Sequence, residues 1–360
     1  MATTHKAIVT ASIRGPLELH DVETPTPIND EIRVKVLFTA STPLDLHQND
    51  GGLLVTHPQV LGDGVAGRVV EVGENVRRLK VGDHVFGFMF REQKEKAHQE
   101  FVVAPEWLLG VVPENKTLQQ AVTLPNNFVT VFHAVTTDLE IPLPWPKPTS
   151  YTQPNAGSPI LIWGGSSSVG QFALQILSYY GFSNLLTTAS AKHHVLLTSY
   201  GARACFDYHD DGCIEEIEKE GVRYVLDCIG SQDRSMRPIA RVVGKDVRVA
   251  VLLPVVVRDA GEMKGEEPVY EMDVRRNVEW REGVVVRGVR THLYLDNLLF
   301  KEKLQSEIMP KMLEQGIVKP NPYRLIEGET LLERAQKAMD VLRRKEVSGE
   351  RLVWRVSDDE

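Results

Sequence analysis

The segment Ile160-Leu161-Ile162-Trp163-Gly164-Gly165-Ser166-Ser167-Ser168-Val169-Gly170 passes from four apolar residues through a cluster of small ones. It then continues as Gln171-Phe172-Ala173-Leu174-Gln175-Ile176-Leu177. This pattern predicts a buried strand, a tight turn and a helix. It constrains the chain more than any other feature, because in a βαβ unit such a turn directs backbone N–H groups and the positive end of a helix dipole at a phosphate. Gly165 and Gly170 take the first and third places of a G-x-G-x-x-G fingerprint, while the middle place holds Ser167. A degenerate match of this kind does not by itself separate a pyrophosphate site from a plain strand-to-helix turn. Its context does. Gly181 is placed to end the helix, and residues 184–189 read as a second strand about 20 residues beyond the turn. Where an NAD-specific site would carry Asp or Glu for the ribose 2′-hydroxyl, the chain reads Ser190-Ala191-Lys192. A hydroxyl and an ammonium both donate to a 2′-phosphate, which a carboxylate would repel, so the pattern points to NADPH. A solvated Lys at a helix start is the plainer alternative.

With 360 residues the chain has room for two domains with sizeable cores. Short β-branched runs at 6–10, 32–38, 67–72, 84–88 and 101–103 predict a compact β domain in the first third. Pro142, Pro144, Pro146, Pro148, Pro154 and Pro159 forbid a helix between them and predict a stiff surface connection. From residue 160 onward, strand patterns such as 223–228 and 246–253 alternate with helical stretches, as a parallel sheet requires. The charged segment 258–281 lacks periodicity and reads as an exposed loop or, more sharply, as a loop at a cleft edge. A long helix at 331–344 and a strand at 351–356 follow. The net charge of −8 argues against non-specific nucleic-acid binding. Cys205, Cys213 and Cys228 match no metal or disulfide spacing, and Cys228, ending an apolar strand, reads as a small hydrophobe. No apolar run reaches membrane length and no secretory leader is visible, so a cytoplasmic, membrane-free protein is expected.

The stretches Leu61-Gly62-Asp63-Gly64-Val65-Ala66-Gly67-Arg68-Val69-Val70-Glu71-Val72-Gly73 and Val81-Gly82-Asp83-His84-Val85-Phe86-Gly87 resemble the catalytic-domain signature of the medium-chain dehydrogenase/reductase superfamily. Ser199-Tyr200-Gly201-Ala202, Asp227-Cys228-Ile229-Gly230 and Ser348-Gly349-Glu350-Arg351-Leu352-Val353 follow in family order. The resemblance implies an α/β protein with a GroES-like β domain formed by both chain ends, expected at 1–128 and 291–360. A doubly wound, parallel-sheet Rossmann domain is expected at 129–290, with the active site between the two. Positions that match the zinc ligands of the family's alcohol dehydrogenases hold Thr42, Asp63 and Gly64, and no four-cysteine lobe exists. Asp63 alone does not supply a closed set of donors, so the chain resembles the zinc-free branch and no metal is expected. Without a Lewis acid, alcohol oxidation lacks charge stabilisation, which leaves activated alkenes or quinones as substrates.

Within that branch, the proline-rich insertion, Cys205-Phe206-Asp207-Tyr208 and the closing Ser-Gly-Glu resemble fungal trans-acting enoyl reductases that partner polyketide synthases. This similarity implies hydride transfer to the β-carbon of a small or carrier-bound α,β-unsaturated acyl substrate. A zinc-independent quinone or small-enone reductase is the alternative, and monomer and homodimer both stay open. By position, the resemblance puts Thr130 near the nicotinamide and Leu44-Asp45-Leu46-His47 beside the cofactor. It puts Gly165 to Gly170 at the pyrophosphate, Ser190 and Lys192 at the 2′-phosphate, and Tyr208 at the adenosine. Leu252 and Leu253 flank the cofactor, and Ser348-Gly349 close the pocket. A lovastatin-type relative carries Lys at the position of His47; when charged, an imidazole there donates from both nitrogens and can supply the proton. A merely solvated His47 is the competing reading. His133 is expected to pack on the sheet, and Asn126 and Asn127 stand where relatives carry small residues.

Overall fold

The computed structural model describes residues 3–260 and 267–358. The first third folds as eight strands: β1 (Thr4–Thr10), β2 (Leu17–Glu23), β3 (Glu31–Ser41), β4 (Gln59–Val60), β5 (Gly64–Val72), β6 (His84–Phe88), β7 (Phe101–Pro105) and β8 (Leu109–Val111). Ile32, Val34 and Val36 of β3 are buried while Glu31, Arg33 and Lys35 between them are half-buried, the period of two that seats one face of a strand on a core. β2, β1 and β4 form a small antiparallel sheet, and the other five strands belong to a larger one.

Residues 140–159 carry neither helix nor strand. Beyond them come β9 (Ile160–Trp163), β10 (Leu185–Thr188), β11 (Ala204–Phe206), β12 (Tyr224–Asp227), β13 (Arg248–Leu252), β14 (Val255–Arg258), β15 (Val269–Glu271) and β16 (Val285–Val289). Six of these form one parallel sheet in the order β11-β10-β9-β12-β13-β16. The order reverses direction between β9 and β12, and in doubly wound sheets ligands bind at the carboxyl ends of the strands at that point. All four residues of β9 are buried, because helices cover both faces of a parallel sheet. The remaining two strands, β14 and β15, pair antiparallel as a separate hairpin. Part of the charged segment expected as a loop is therefore hairpin strand, and residues 261–266 lie outside the described residues.

The last strands, β17 (Tyr323–Leu325) and β18 (Arg351–Arg355), return to the first sheet, where Leu352 of β18 faces Ser41 of β3. Four helices matter for the site: α1 (Pro43–Gly51), α2 (Leu118–Ala121), α3 (Pro125–His133) and α4 (Ser168–Tyr179). Phe86 and Phe88 of β6, Phe128 and Phe132 of α3, and Phe172 and Ile176 of α4 belong to one buried cluster, so the two large sheets rest on a shared apolar body. Burying each such side chain contributes about 2–3 kcal/mol, which fixes α3 and α4 relative to both sheets. Among the described residues no helix is long and apolar enough to cross a membrane.

Candidate active site

The turn after β9 is built so that α4 lies directly on it. A Cβ on Gly170 would sit 2.5 Å from the Gly164 carbonyl oxygen and 2.7 Å from the Gly165 Cα. On Gly165 it would lie 2.0 Å from Thr187 Oγ1. Close helix-to-strand packing is the role the fingerprint gives its last glycine. Ser167, at the degenerate middle place, is the N-cap of α4, and its hydroxyl accepts from Gly170 N at 3.1 Å. The hydroxyl of Ser168 bonds to Asn321, and Val169 is buried. Of this stretch, what is left for an anion is backbone N–H, together with the half-buried Ser166. The turn is held in register by Gly164 N and Gly165 N, which donate to Thr188 Oγ1 and Thr188 O at 2.9 Å each.

Beyond β10, Ser190 Oγ lies 3.1 Å from the Tyr208 hydroxyl, so two residues 18 apart in sequence share one corner. Lys192 is exposed on the short 3-10 turn Ala191–His193. Ser348 and Gly349 reach the same corner: Ser348 Oγ is 3.0 Å from His193 Nε2, and the Gly349 carbonyl accepts from Gln171 Nε2 at 3.0 Å. Sequence reasoning missed His193, whose only signal was its place beside Lys192. It also missed Asp207, a carboxylate at this end supplied by the residue after β11 rather than by the end of β10. Asp207 accepts from Ala191 N at 2.8 Å and from His209 N at 3.0 Å, and these backbone donors pull its pKa down to about 2.

A second polar region of the candidate site is made by α1, α3 and the segments around Asp63 and Thr291. Thr42 is the N-cap of α1 in a capping box: Asp45 accepts from Thr42 N at 2.7 Å, and Asp45 N donates to Thr42 Oγ1 at 3.4 Å. Asp45 also accepts from Gly62 N at 3.1 Å and is buried. Its carboxylate is thus committed to backbone rather than to a cofactor, and Leu46 packs against the core of the first sheet. Thr42 and Asp63 do not form a metal donor set, since Thr42 caps a helix and Asp63 accepts from the Asn126 amide. Asp63, Asp45, His98 and Arg351 together form a polar interior, with Lys96 also acting on both acids. Burial pushes the pKa of both acids well above the usual carboxylate range, and burial pushes that of His98 down to about 3. Thr130 Oγ1 donates to the Asn126 carbonyl at 2.8 Å and meets Thr291 Oγ1 at 3.0 Å.

His47 Nδ1 lies 2.9 Å from the hydroxyl of Tyr270 on β15. Gly51 makes the seat for that tyrosine, because a Cβ there would come within 2.4 Å of its ring. Burial pushes the His47 pKa down to about 4, with Asp259 and Asp50 partly opposing it. This corrects the expectation of a doubly donating, charged imidazole: near neutral pH the ring is neutral and one nitrogen is already engaged. Tyr270 gave no sequence signal, since it lies in the aperiodic charged segment. His133 is buried with its Nε2 4.0 Å from Asp138 Oδ2, beside His292. Leu252 ends β13, and Leu253 packs close to Gly288, whose Cβ would meet it at 2.8 Å. Burial and the neighbouring Asp227 hold the Cys228 thiol far above its ordinary pKa, so it is no nucleophile.

Residues 28–134 match the alcohol dehydrogenase GroES-like domain. The trans-enoyl reductase himH of Aspergillus japonicus is 30% identical over 342 residues, covering 92% of this chain and 91% of that protein. The chain belongs to the medium-chain dehydrogenase/reductase family. A second relative, the trans-enoyl reductase pvhC of Talaromyces variabilis, is 30% identical over 93% of this chain and 92% of its own length. In fold, this family member is similar to the quinone oxidoreductase of Coxiella burnetii, with a TM-score of 0.74 at 22% identity over 99% and 100% of the two chains. It is equally similar to the CurK enoyl reductase, with a TM-score of 0.74 at 20% identity over 97% and 99%. As a member of this family the protein is an oxidoreductase with a nicotinamide-binding Rossmann domain, and the cradle formed by Gly165, Gly170 and the head of α4 fits that group.

Proposed function

We propose that the protein is an NADPH-dependent enoyl reductase that works in trans on an α,β-unsaturated acyl thioester, presented by a polyketide synthase. The observation that carries this reading is the full-length similarity to trans-enoyl reductases, at 30% identity over more than nine-tenths of the chain. Support from the site comes at both ends. Ser190, Tyr208 and the exposed Lys192 offer two hydroxyls and an ammonium to a 2′-phosphate. Asp207 stands nearby, but its oxygens are taken up by backbone N–H groups.

When bound, a reduced nicotinamide supplies the hydride that the alkene β-carbon accepts. The chain's own task is to orient the substrate, stabilise the negative charge that develops on its carbonyl oxygen and manage the proton delivered to the α-carbon. The residues we assign to this work are Thr130, which is paired with Thr291, and the neutral His47, which is backed by Tyr270. In the tautomer in which Tyr270 donates to Nδ1, the His47 proton sits on Nε2, where it serves as a single hydrogen-bond donor.

The deciding experiment follows NADPH oxidation against a crotonyl-type pantetheine thioester and a simple quinone in parallel, with NADH as the cofactor control. Turnover with the thioester and NADPH is expected. Turnover with the quinone alone would replace this reading by a quinone reductase, and a preference for NADH would remove the 2′-phosphate assignment.

A further inference from the structure

Asn126 occupies an unusual position. Of residues 121–130, it alone is not buried, although both its neighbours and the whole inner face of α3 are. It stands in the first turn of α3, one residue after Pro125, and its side-chain amide donates to Asp63 Oδ2. Asp63 is 4% exposed, and its other oxygen, Oδ1, is buried with no hydrogen-bond partner. Asp63 directly precedes β5, a strand paired on both sides, so the carboxylate is a fixed post. The Asn126 backbone is held as well, because its carbonyl accepts from Thr130 Oγ1, which in turn meets Thr291.

A side-chain amide nitrogen carries two N–H groups. One of them is pinned by Asp63, and pinning it fixes the direction of the second. That second donor belongs to the one half-buried residue of an otherwise buried segment, on the same face of α3 as Thr130, four residues on. We infer that Asn126 is the oxyanion donor of this enzyme: its free amide N–H bonds the carbonyl oxygen of the α,β-unsaturated substrate, and Asp63 is the positioning residue that aims it. The inference rests on the enoyl-reduction reading for the identity of the substrate carbonyl. In that reaction the hydride and its electron pair, from the reduced nicotinamide, form a C–H bond at the β-carbon. The alkene π pair shifts to form the α-carbon to carbonyl-carbon double bond, and the carbonyl π pair moves onto oxygen. The resulting enolate oxygen accepts from Asn126, and a proton then adds at the α-carbon to regenerate the carbonyl. A neutral donor held in place before reaction stabilises such charge without reorganisation.

The test uses Asn126→Ala and Asp63→Asn in the full chain. For Asn126→Ala, kcat on the enoyl thioester is expected to fall about 100-fold with KM nearly unchanged, the signature of an interaction made in the transition state. For Asp63→Asn, in which the partner amide has two orientations, a fall of about tenfold is expected. NADPH binding, followed by fluorescence titration, should stay at the wild-type value in both and so reports an intact fold. A second readout is independent of turnover: infrared spectra of a bound, unreactive butyryl pantetheine thioester labelled with 13C at the carbonyl. The carbonyl band should lie lower in the wild type than in Asn126→Ala. Wild-type kcat together with an unshifted carbonyl band in Asn126→Ala would overturn the inference. If the wild type reduces a quinone and no thioester, the enoyl reading fails alone, and Asn126→Ala is then judged on the quinone, whose carbonyl oxygens take the same donor.

Discussion

The two ends of the candidate site handle charge by opposite means. At the end proposed for the phosphate the donors are backbone groups from one short stretch: the turn after β9 and the first turn of α4, shaped by Gly165 and Gly170 and capped by Ser167. Its nearby carboxylate, Asp207, is satisfied by backbone N–H groups and held ionised with a pKa of about 2. At the end proposed for the reaction the polar groups are side chains gathered from separate segments: Asp45, Asp63, His98, Asn126, Thr130, Thr291 and Arg351. There burial pushes carboxyl groups up and imidazoles down. A main-chain cradle tolerates side-chain change and depends on the absence of Cβ atoms. A side-chain interior tolerates little, because each buried polar group needs its partner.

The largest effect should come from breaking the cradle itself. Gly170→Ala places a methyl group against backbone, so NADPH affinity in a fluorescence titration should drop about 100-fold, or about 2.7 kcal/mol. Wild-type affinity in that variant would show that α4 can move off the turn. At the reacting end, His47→Ala should lower turnover at least about tenfold, roughly 1.4 kcal/mol of barrier, with NADPH affinity less affected. Unchanged steady-state kinetics would remove His47 from the reaction. Lys192→Ala should weaken NADPH about tenfold and leave NADH binding where it was, since only the 2′-phosphate is lost as a partner. Equal losses for both cofactors would mean that Lys192 does not face the 2′-position.

The smallest effects are also the most direct contrast between the two ends. Asp63 has a folded pKa of about 6, above its unfolded value, so the folded state binds the proton more tightly. Its contribution to stability is present below about pH 4 and is lost as pH rises through about 6. The unfolding free energy of Asp63→Asn relative to wild type, from urea titration, should therefore climb between pH 4 and 7, on the order of 1 kcal/mol. For Asp207 the sign reverses: its folded pKa is depressed, so stability is held above about pH 4 and lost as pH falls toward 2. Asp207→Asn should therefore differ from wild type at neutral pH by an offset that shrinks only in strong acid. Parallel pH profiles for the two variants would erase the distinction between the ends.

How far the sequence could be read follows the same division. The run from Ile160 to Gly170 was legible because strand, turn and helix are contiguous and each is fixed by local sterics. The same holds for the long helix, expected at 331–344 and found at Leu331–Arg343, and for the closing strand, found at Arg351–Arg355. Ser190, Lys192 and Tyr208 were named by position, although their shared corner depends on β10 and β11 lying side by side. Asp45 shows the limit: its nearness to the cleft could be inferred from its neighbours, whereas its use as a capping residue needed Thr42 and Gly62 in space. Tyr270 was out of reach, since 223 residues separate it from His47 and no periodicity marks its hairpin.

The sequence by itself determined the alternation of strands and helices and the glycine cradle, because each depends on residue type at short spacing. Only the tertiary structure decided that Asp63 anchors Asn126, that His47 is neutral against Tyr270 and that Asp207, the residue after β11, accepts from Ala191 N beside Lys192. The physical reason is desolvation: what a polar side chain does depends on which groups are buried beside it, and burial is a property of the packed molecule, not of the chain.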